Sequence, residues 1–246
     1  MHLVAPRTIV PEWPAPPRVR ALATTRQGGV SRGPYASLNL GDHVGDDPAH
    51  VARNRALLGR ELPRAPLWLA QEHGVAVVEA ETARGVPVAD AAVAHAPGFV
   101  LAALTADCLP VLLASRDGDA VGIAHAGWRG LAAGVVEATV AKMRCEPGAL
   151  VAWLGPAIGP AWFEVGDEVR DAFTADDRSA AAAFAPGRPG KWHADLYALA
   201  RRRLARAGVS EVHGGRWCTF TDHERFFSYR RDGRTGRMAT LVWLEG

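Results

Sequence analysis

Cys108 and His125 stand seventeen residues apart within one patterned stretch, TADCLPVLLASRDGDAVGIAHAGWRG. The apolar runs VLLA and VGIAHA flank an Arg-Asp-Gly-Asp turn, which predicts a β-hairpin. Folding about Asp117 sets Cys108 opposite a residue near 125 to 127, so thiol and imidazole become neighbours. His73, within Gln71-Glu72-His73-Gly74, also lies at the edge of an apolar strand-like run. One thiolate with two imidazoles suits a zinc ion whose fourth position is open to water or substrate. The same groups suit a Cys–His nucleophile pair, or a small packed thiol beside ordinary histidines. Spacing does not choose among these, because the chain has neither C-x-x-C nor H-E-x-x-H.

An anion site is the second chemical feature. The strand ending at His125 runs through Gly127-Trp128-Arg129-Gly130 into LAAGVVEATVAKM, which predicts a helix over 131–143. Free backbone N–H groups at such a start attract anions, and Arg129 sits among them. Arg26 in RQGG and Arg230 or Arg231 in SYRRDGRTGR also adjoin glycine-rich turns. Guanidinium forks suit phosphate or carboxylate, and equally serve as solvated surface charges. Cys145 reads as a bystander thiol and Cys218 as a packing residue. Asp232-Gly233 reads as a hairpin turn.

These residues need a scaffold, and the apolar pattern predicts an α/β one. Residues 1–18 are Pro-rich and read as an extended arm, with a single domain over 19–246. VRALATT alternates as a strand, and residues 26–48 form a long polar, Gly-rich loop of the kind that tends to be functional. Asp47 caps a helix that Pro48 opens. PLWLAQEHGVAVVEA offers two strand-like halves, with Gly74 as the bend. Residues 84–98 read as loop with one short strand. FVLAALTA and LVAWLGPAIG are buried-strand runs, and FEVGDEVRDAF reads as strand, then helix. Residues 179–192 read as loop with a helical beginning. HADLYALARRRLARAG is the clearest helix, with Leu196, Leu199, Ala200 and Leu204 on one face and Gly208 as its stop. VSEVHGG, WCTF, FFSYRR and MATLVWL read as strands. Helices alternating with apolar strands predict a layered architecture.

Composition narrows the class. The chain is 48% hydrophobic and 22% charged, with net charge +2, as in an ordinary globular protein able to bury a core. The balance argues against a dedicated nucleic-acid or membrane-surface protein. Three widely spaced cysteines argue against a disulfide framework. Prolines interrupt the N-terminus, no signal-peptide core is evident, and no run of about 20 apolar residues predicts a span. A cytoplasmic location is the expectation, as a monomer or weak homodimer.

TADCLPVLLA followed by GIAHAGWRG resembles the core signature of the laccase-domain family. This multicopper-oxidase-like family is also called the YfiH or purine nucleoside phosphorylase family. TTRQGGVS, SLNLGDHVGDDP with VARNR, QEHG, GPAIGP with FEVGDEV, the W-x-x-DL segment at Trp192 to Leu196, and CTF with FFSYRRDGRTGR resemble further blocks in family order. Together they span roughly residues 20 to 244. Two positions depart from the pattern: Ala94-His95 where many relatives have Thr-Asp, and Ala161 where many have Cys. Neither is among the three ligand candidates.

The resemblance implies a single α-β-β-α sandwich with mixed sheets, and one zinc on His73, Cys108 and His125. It implies phosphorolysis of adenosine, inosine, guanosine and methylthioadenosine, with adenosine deamination at the same site. Purine nucleosides and phosphate are then the partners. Arg129, with Arg26 and Arg230 behind it, is expected to hold phosphate, while Asn39 and His43 are expected to contact ribose or base. Gln71, Asp107 and Glu164 are expected to position ligands or carry protons. Family members have also been described as copper-dependent polyphenol oxidases, and some are linked to peptidoglycan editing. A blue-copper oxidase needs many His ligands on cupredoxin-like domains, and this chain has one soft-ligand set. A metal-free Cys108–His125 hydrolase and a non-catalytic binding protein are the other rivals.

Overall fold

Uninterrupted apolar runs form strands that must be covered on both faces. In the computed structural model, which describes residues 6–246, they build two sheets laid face to face. The six-stranded sheet has the order β13 (Glu211–Gly214), β9 (Leu150–Leu154), β7 (Leu109–Ser115), β8 (Val121–Ala126), β5 (Ala91–Ala94), β4 (Val77–Glu79). Its four central strands are antiparallel, and each edge strand pairs parallel to its neighbour. The five-stranded sheet runs β1 (Thr8–Ile9), β2 (Val19–Thr24), β14 (Met238–Leu244), β6 (Val100–Thr105), β3 (Pro66–Leu67), with only the β3–β6 pair parallel. A small third sheet joins β10 (Glu164–Gly166), β12 (Lys191–Ala194) and β11 (Phe184–Pro186).

Period-two alternation assigns each side chain to a layer. Leu112, Val121, Ile123 and Trp153 face the other sheet, meeting Leu101, Ala103, Val242 and Leu244. Leu109, Val111, Leu113 and Ala124 face the opposite way. They pack with α2 (Trp128–Ala133), α3 (Val135–Lys142), α4 (Asp167–Thr174) and α5 (Leu196–Arg206). On the far side, Leu22, Val100 and Leu241 pack with Leu38, Leu40 and Leu58, the last from α1 (Pro48–Gly59). The sandwich is therefore α-β-β-α with mixed sheets, as expected.

Local rules hold at the helix ends. The Asp47 carboxylate accepts the Ala49 N–H at 2.8 Å, with Pro48 opening α1, and Asp195 caps α5 through Ala198 at 3.0 Å. The arginine run of α5 is structural. Arg201 donates to the carbonyls of Val212 and Gly214, Arg202 pairs with Asp177, and Arg203 with Glu137.

Several expectations are corrected. The helix expected over 131–143 is two helices, divided where Gly134 takes φ 106°. Within the extended N-terminal arm, Thr8–Ile9 pairs with β2 as an edge strand; residues 1–5 of that arm lie outside the described residues. WCTF and FFSYRR are not strands. Arg231 donates to the carbonyls of Thr219, Phe220 and Phe226, so their acceptors are taken without a sheet partner. Tyr229–Asp232 makes one helical turn, α6, and Asp232-Gly233 closes it instead of forming a hairpin. The loop expected over 179–192 contains β11 and the start of β12. No helix among the described residues is long and apolar enough to cross a membrane.

Candidate metal centre and its pocket

The β7–β8 hairpin has the register that its turn predicts. Leu109 pairs with Ala126 and Pro110 with His125, which brings Cys108 beside the end of β8. His73 arrives from the loop between β3 and β4, and its Nε2 lies 3.7 Å from the Cys108 Sγ. The His73 and His125 rings meet edge to face, with centroids 4.8 Å apart. One ligand atom from each of His73, Cys108 and His125 lies within 4.8 Å of the other two. This is the one such group of three or more His, Cys, Asp or Glu among the described residues.

A residue absent from the sequence expectations holds the group together. Asp90, 1% exposed, sits just before β5. Its carboxylate accepts the backbone N–H groups of Glu72 at 3.1 Å, His73 at 2.9 Å and Gly74 at 2.7 Å. It also lies 2.8 Å from Nδ1 of His125. One anion thus curls the His73 loop around itself and draws the proton of His125 to Nδ1, leaving Nε2 for the thiol side. The loop bends at His73, which takes φ 61°, rather than at the expected Gly74. Three converging amide bonds offset the cost of that left-handed residue.

The glycines of Gly127-Trp128-Arg129-Gly130 give room. A Cβ on Gly127 would stand 2.8 Å from a His73 ring carbon and 3.0 Å from the Cys108 Sγ, and one on Gly130 would stand 2.8 Å from the Gly74 carbonyl oxygen. Both let α2 approach the ligand loop. On the other side, Asp107 takes φ 97° and uses both carboxylate oxygens, accepting from Thr219 Oγ1 and from the backbone N–H of Arg230, each at 2.6 Å. It fastens the residue before Cys108 to the start of α6. Gln71 bonds both backbone groups of Leu104, tying the loop to β6.

Charge is coupled within the group. Burial alone would raise the Cys108 thiol, but the charge and hydrogen bonds of His125 and His73 bring it down to about 6. Burial opposes charge on His125, and Cys108 with Asp90 outweighs it, raising the imidazole to about 9. The thiolate–imidazolium pair lies ready for exchange of its proton against a cation.

The group opens into a cavity of about 340 Å³, lined also by His43, Gln71, Leu104, Thr105, Ala106, Tyr229 and Arg237. That size is within the range of small-molecule sites. A larger surface groove beneath the N-terminal arm, about 490 Å³, holds no thiol or imidazole. Of the expected substrate contacts, His43 lines the cavity. Arg129 is exposed, its guanidinium 4.4 Å over the Trp128 ring. Arg26 is spent on the carbonyls of Ala36 and His223. Arg230 donates to the Glu164 carbonyl, and the Glu164 side chain pairs with Arg188. Asn39 is fully buried and bonds Gly41, Asp46 and Arg237. None of these four residues nor Glu164 lines the cavity. Neither His95 nor Ala161 does either, so the two departures from the family pattern leave its walls untouched. Tyr229 and Arg237, which do line it, flank RRDGRTG in a stretch that the expectation of strands obscured.

A thiolate and two imidazoles around an open cavity fit a borderline divalent ion such as zinc, and are also compatible with copper. Binding needs the thiolate and an unprotonated His125. Between about pH 6 and about 9 one proton must leave His125. Apparent Zn²⁺ affinity is therefore expected to rise about tenfold per pH unit there and level off above, with a steeper slope below. Competition with a chelator of known affinity reads this directly, and a flat profile from pH 6.5 to 8.5 would refute it.

Fold and site together define a layered α/β protein with a one-thiolate, two-imidazole centre. The family described as multi-copper polyphenol oxidoreductase laccase matches residues 20–245, and the chain belongs to this family. A Pseudomonas aeruginosa protein named purine nucleoside phosphorylase is 57% identical over 96% of this chain and 98% of its own. Purine nucleoside phosphorylase YfiH of Escherichia coli is 53% identical, over 97% and 99%. A solved Neisseria meningitidis structure, described as a DUF152 member, superposes with a TM-score of 0.95 at 52% identity, covering 97% of this chain and 99% of that one.

Proposed function

We propose that this protein is a zinc-dependent purine nucleoside phosphorylase that also deaminates adenosine, acting on adenosine, inosine, guanosine and methylthioadenosine. The observation that carries the reading is the convergence of His73, Cys108 and His125 on one cavity, with Asp90 orienting two of them. Near full-length similarity to relatives named purine nucleoside phosphorylase supports the substrate class. When bound, zinc supplies a Lewis acid and an acidified water.

The chain's own residues do the rest. Asp90 keeps the His125 ring in one orientation and one tautomer. Tyr229, 61% exposed at the cavity, offers an aromatic face to a purine. His43 borders the opening from the long loop. Phosphorolysis requires that C1′–N9 breaks as C1′ bonds a phosphate oxygen. Deamination requires that water oxygen joins C6 and ammonia leaves.

The test is turnover of inosine with phosphate and of adenosine alone, before and after metal stripping, with Zn²⁺ or Cu²⁺ restored. Hypoxanthine with ribose 1-phosphate, and ammonia from adenosine, are expected only with metal, and with Zn²⁺ above Cu²⁺. Oxygen uptake with a phenol under Cu²⁺ alone would favour the oxidase reading. Full activity in stripped protein would favour a Cys108–His125 nucleophile, which the thiolate–imidazolium pair also permits.

A further inference from the structure

We propose that Arg237 holds the phosphate co-substrate, a role that rests on the phosphorylase reading and moves phosphate away from Arg129 at the start of α2. Arg237 lines the same cavity as the thiol and imidazoles. Its NH1 donates to the carbonyls of Thr235 at 3.2 Å and Gly236 at 3.0 Å. Among the described residues, its Nε and other terminal nitrogen have no hydrogen-bond partner, and it forms no ion pair with a carboxylate. A guanidinium taken partly out of water without a counter-ion is costly, and a bound anion relieves that cost. Burial pulls its pKa down, although the charges of Cys108 and Asp107 act to raise it.

The seat is built around this one side chain. Its backbone N–H donates to the fully buried Asn39 side chain at 2.9 Å. Asn39 in turn is held by Asp46 and Gly41. A Cβ on Gly41 would stand 2.8 Å from the Arg237 Cγ, so only glycine leaves space for the stem. A Cβ on Gly236 would stand 2.7 Å from the Phe227 ring and 2.9 Å from Asn39. The long loop over 26–48 thus serves the site by fixing an arginine from the far end of the chain. Arg26, Arg230 and Arg231 donate to backbone carbonyls and do not line the cavity, which leaves Arg237 as the arginine that does.

In the reaction, a hydrogen phosphate oxygen bonds C1′ as C1′–N9 breaks. The bonding pair leaves with the purine, and the phosphate proton reaches the purine through solvent. Arg237 pairs with phosphate oxygens that do not attack.

The test uses metal-loaded wild-type protein, Arg237→Gln, Arg237→Met and Arg129→Ala. Loss of a charge-assisted bond is expected to raise the phosphate KM about 10- to 100-fold in both Arg237 variants. Their loss in phosphorolysis should exceed their loss in adenosine deamination at least about tenfold, since water replaces phosphate there. Calorimetric titration with inorganic phosphate should weaken by the same factor. Arg237→Met keeps the stem against Gly41, so it serves if the glutamine variant fails to fold. An unchanged phosphate KM in a folded, metal-loaded Arg237 variant, or a rise confined to Arg129→Ala, would overturn the proposal. Wild-type protein that binds phosphate through Arg237 but turns over no nucleoside would overturn the phosphorylase reading and leave the anion site standing.

Discussion

Cys108→Ala is expected to give a folded protein that retains no stoichiometric metal and turns over nucleosides at the level of a blank. The thiol stands at the entrance to β7 and takes no part in its ladder, which begins with Leu109 and Ala126. Removing a half-buried sulfur there loses little packing. The electrostatic effect is much larger. The thiolate is the anionic member of the group and the chief attraction that keeps the His125 imidazole charged. Without it, two neutral imidazoles must hold a divalent cation with no thiolate to neutralise its charge. Elemental analysis of purified protein, thermal unfolding and the two nucleoside assays read the three parts separately. One equivalent of metal in a folded Cys108→Ala protein would remove Cys108 from the ligand set.

Asp90→Asn should be the most damaging substitution of a residue that is not itself a ligand. The carboxylate receives three backbone amides and lies against one ring nitrogen inside the protein. A carboxamide must turn its NH₂ toward at least one of those donors, leaving buried N–H groups unmatched. Breaking a buried charged network of this kind costs about 3–5 kcal/mol. For a chain of this size that lowers the Tm by roughly 6–20 °C. The His73 loop and the His125 tautomer lose their common anchor, so Zn²⁺ affinity should fall about 10- to 100-fold. Wild-type stability with intact metal binding in Asp90→Asn would refute this account.

The same carboxylate adds an acid signature. Burial would raise its pKa, but the bond to His125 and the loop amides outweigh burial and hold it below the usual value. A depressed folded value stabilises the fold above the unfolded pKa, about 3.9. That stabilisation is lost as pH falls through the folded value. The stability gap between wild type and Asp90→Asn should therefore be full at neutral pH and narrow below about pH 4.

The sequence by itself determined whatever depends on neighbours along the chain. A turn between two alternating runs sets a register, so the meeting of Cys108 and His125 could be read from the hairpin alone. Aspartate before proline marks a helix start for an equally local reason, whereas the helix read from His193 begins only at Leu196, His193 and Ala194 ending β12. The layered class followed from apolar runs long enough to need cover on both faces. Motif blocks along nearly the whole chain carried the family, and His73, at the edge of its own apolar run, stood beside Cys108 and His125 as a ligand candidate from residue type alone.

Only the tertiary structure decided which polar residues meet across long separations. Asp90 is invisible in a one-dimensional reading because three of its contacts are backbone amides, which every residue but proline presents. Arg129 drew attention because a helix start is a local pattern, whereas a place on the cavity wall is not. Arg237 is reached only when a loop some 200 residues earlier folds beneath it, Asn39 bonding its backbone and Gly41 making way for its stem. Arg231, by filling the carbonyls of Thr219, Phe220 and Phe226, turned apparent strands into a tight coil. Periodicity records which side chains avoid water; it carries no account of which donors and acceptors have already been used.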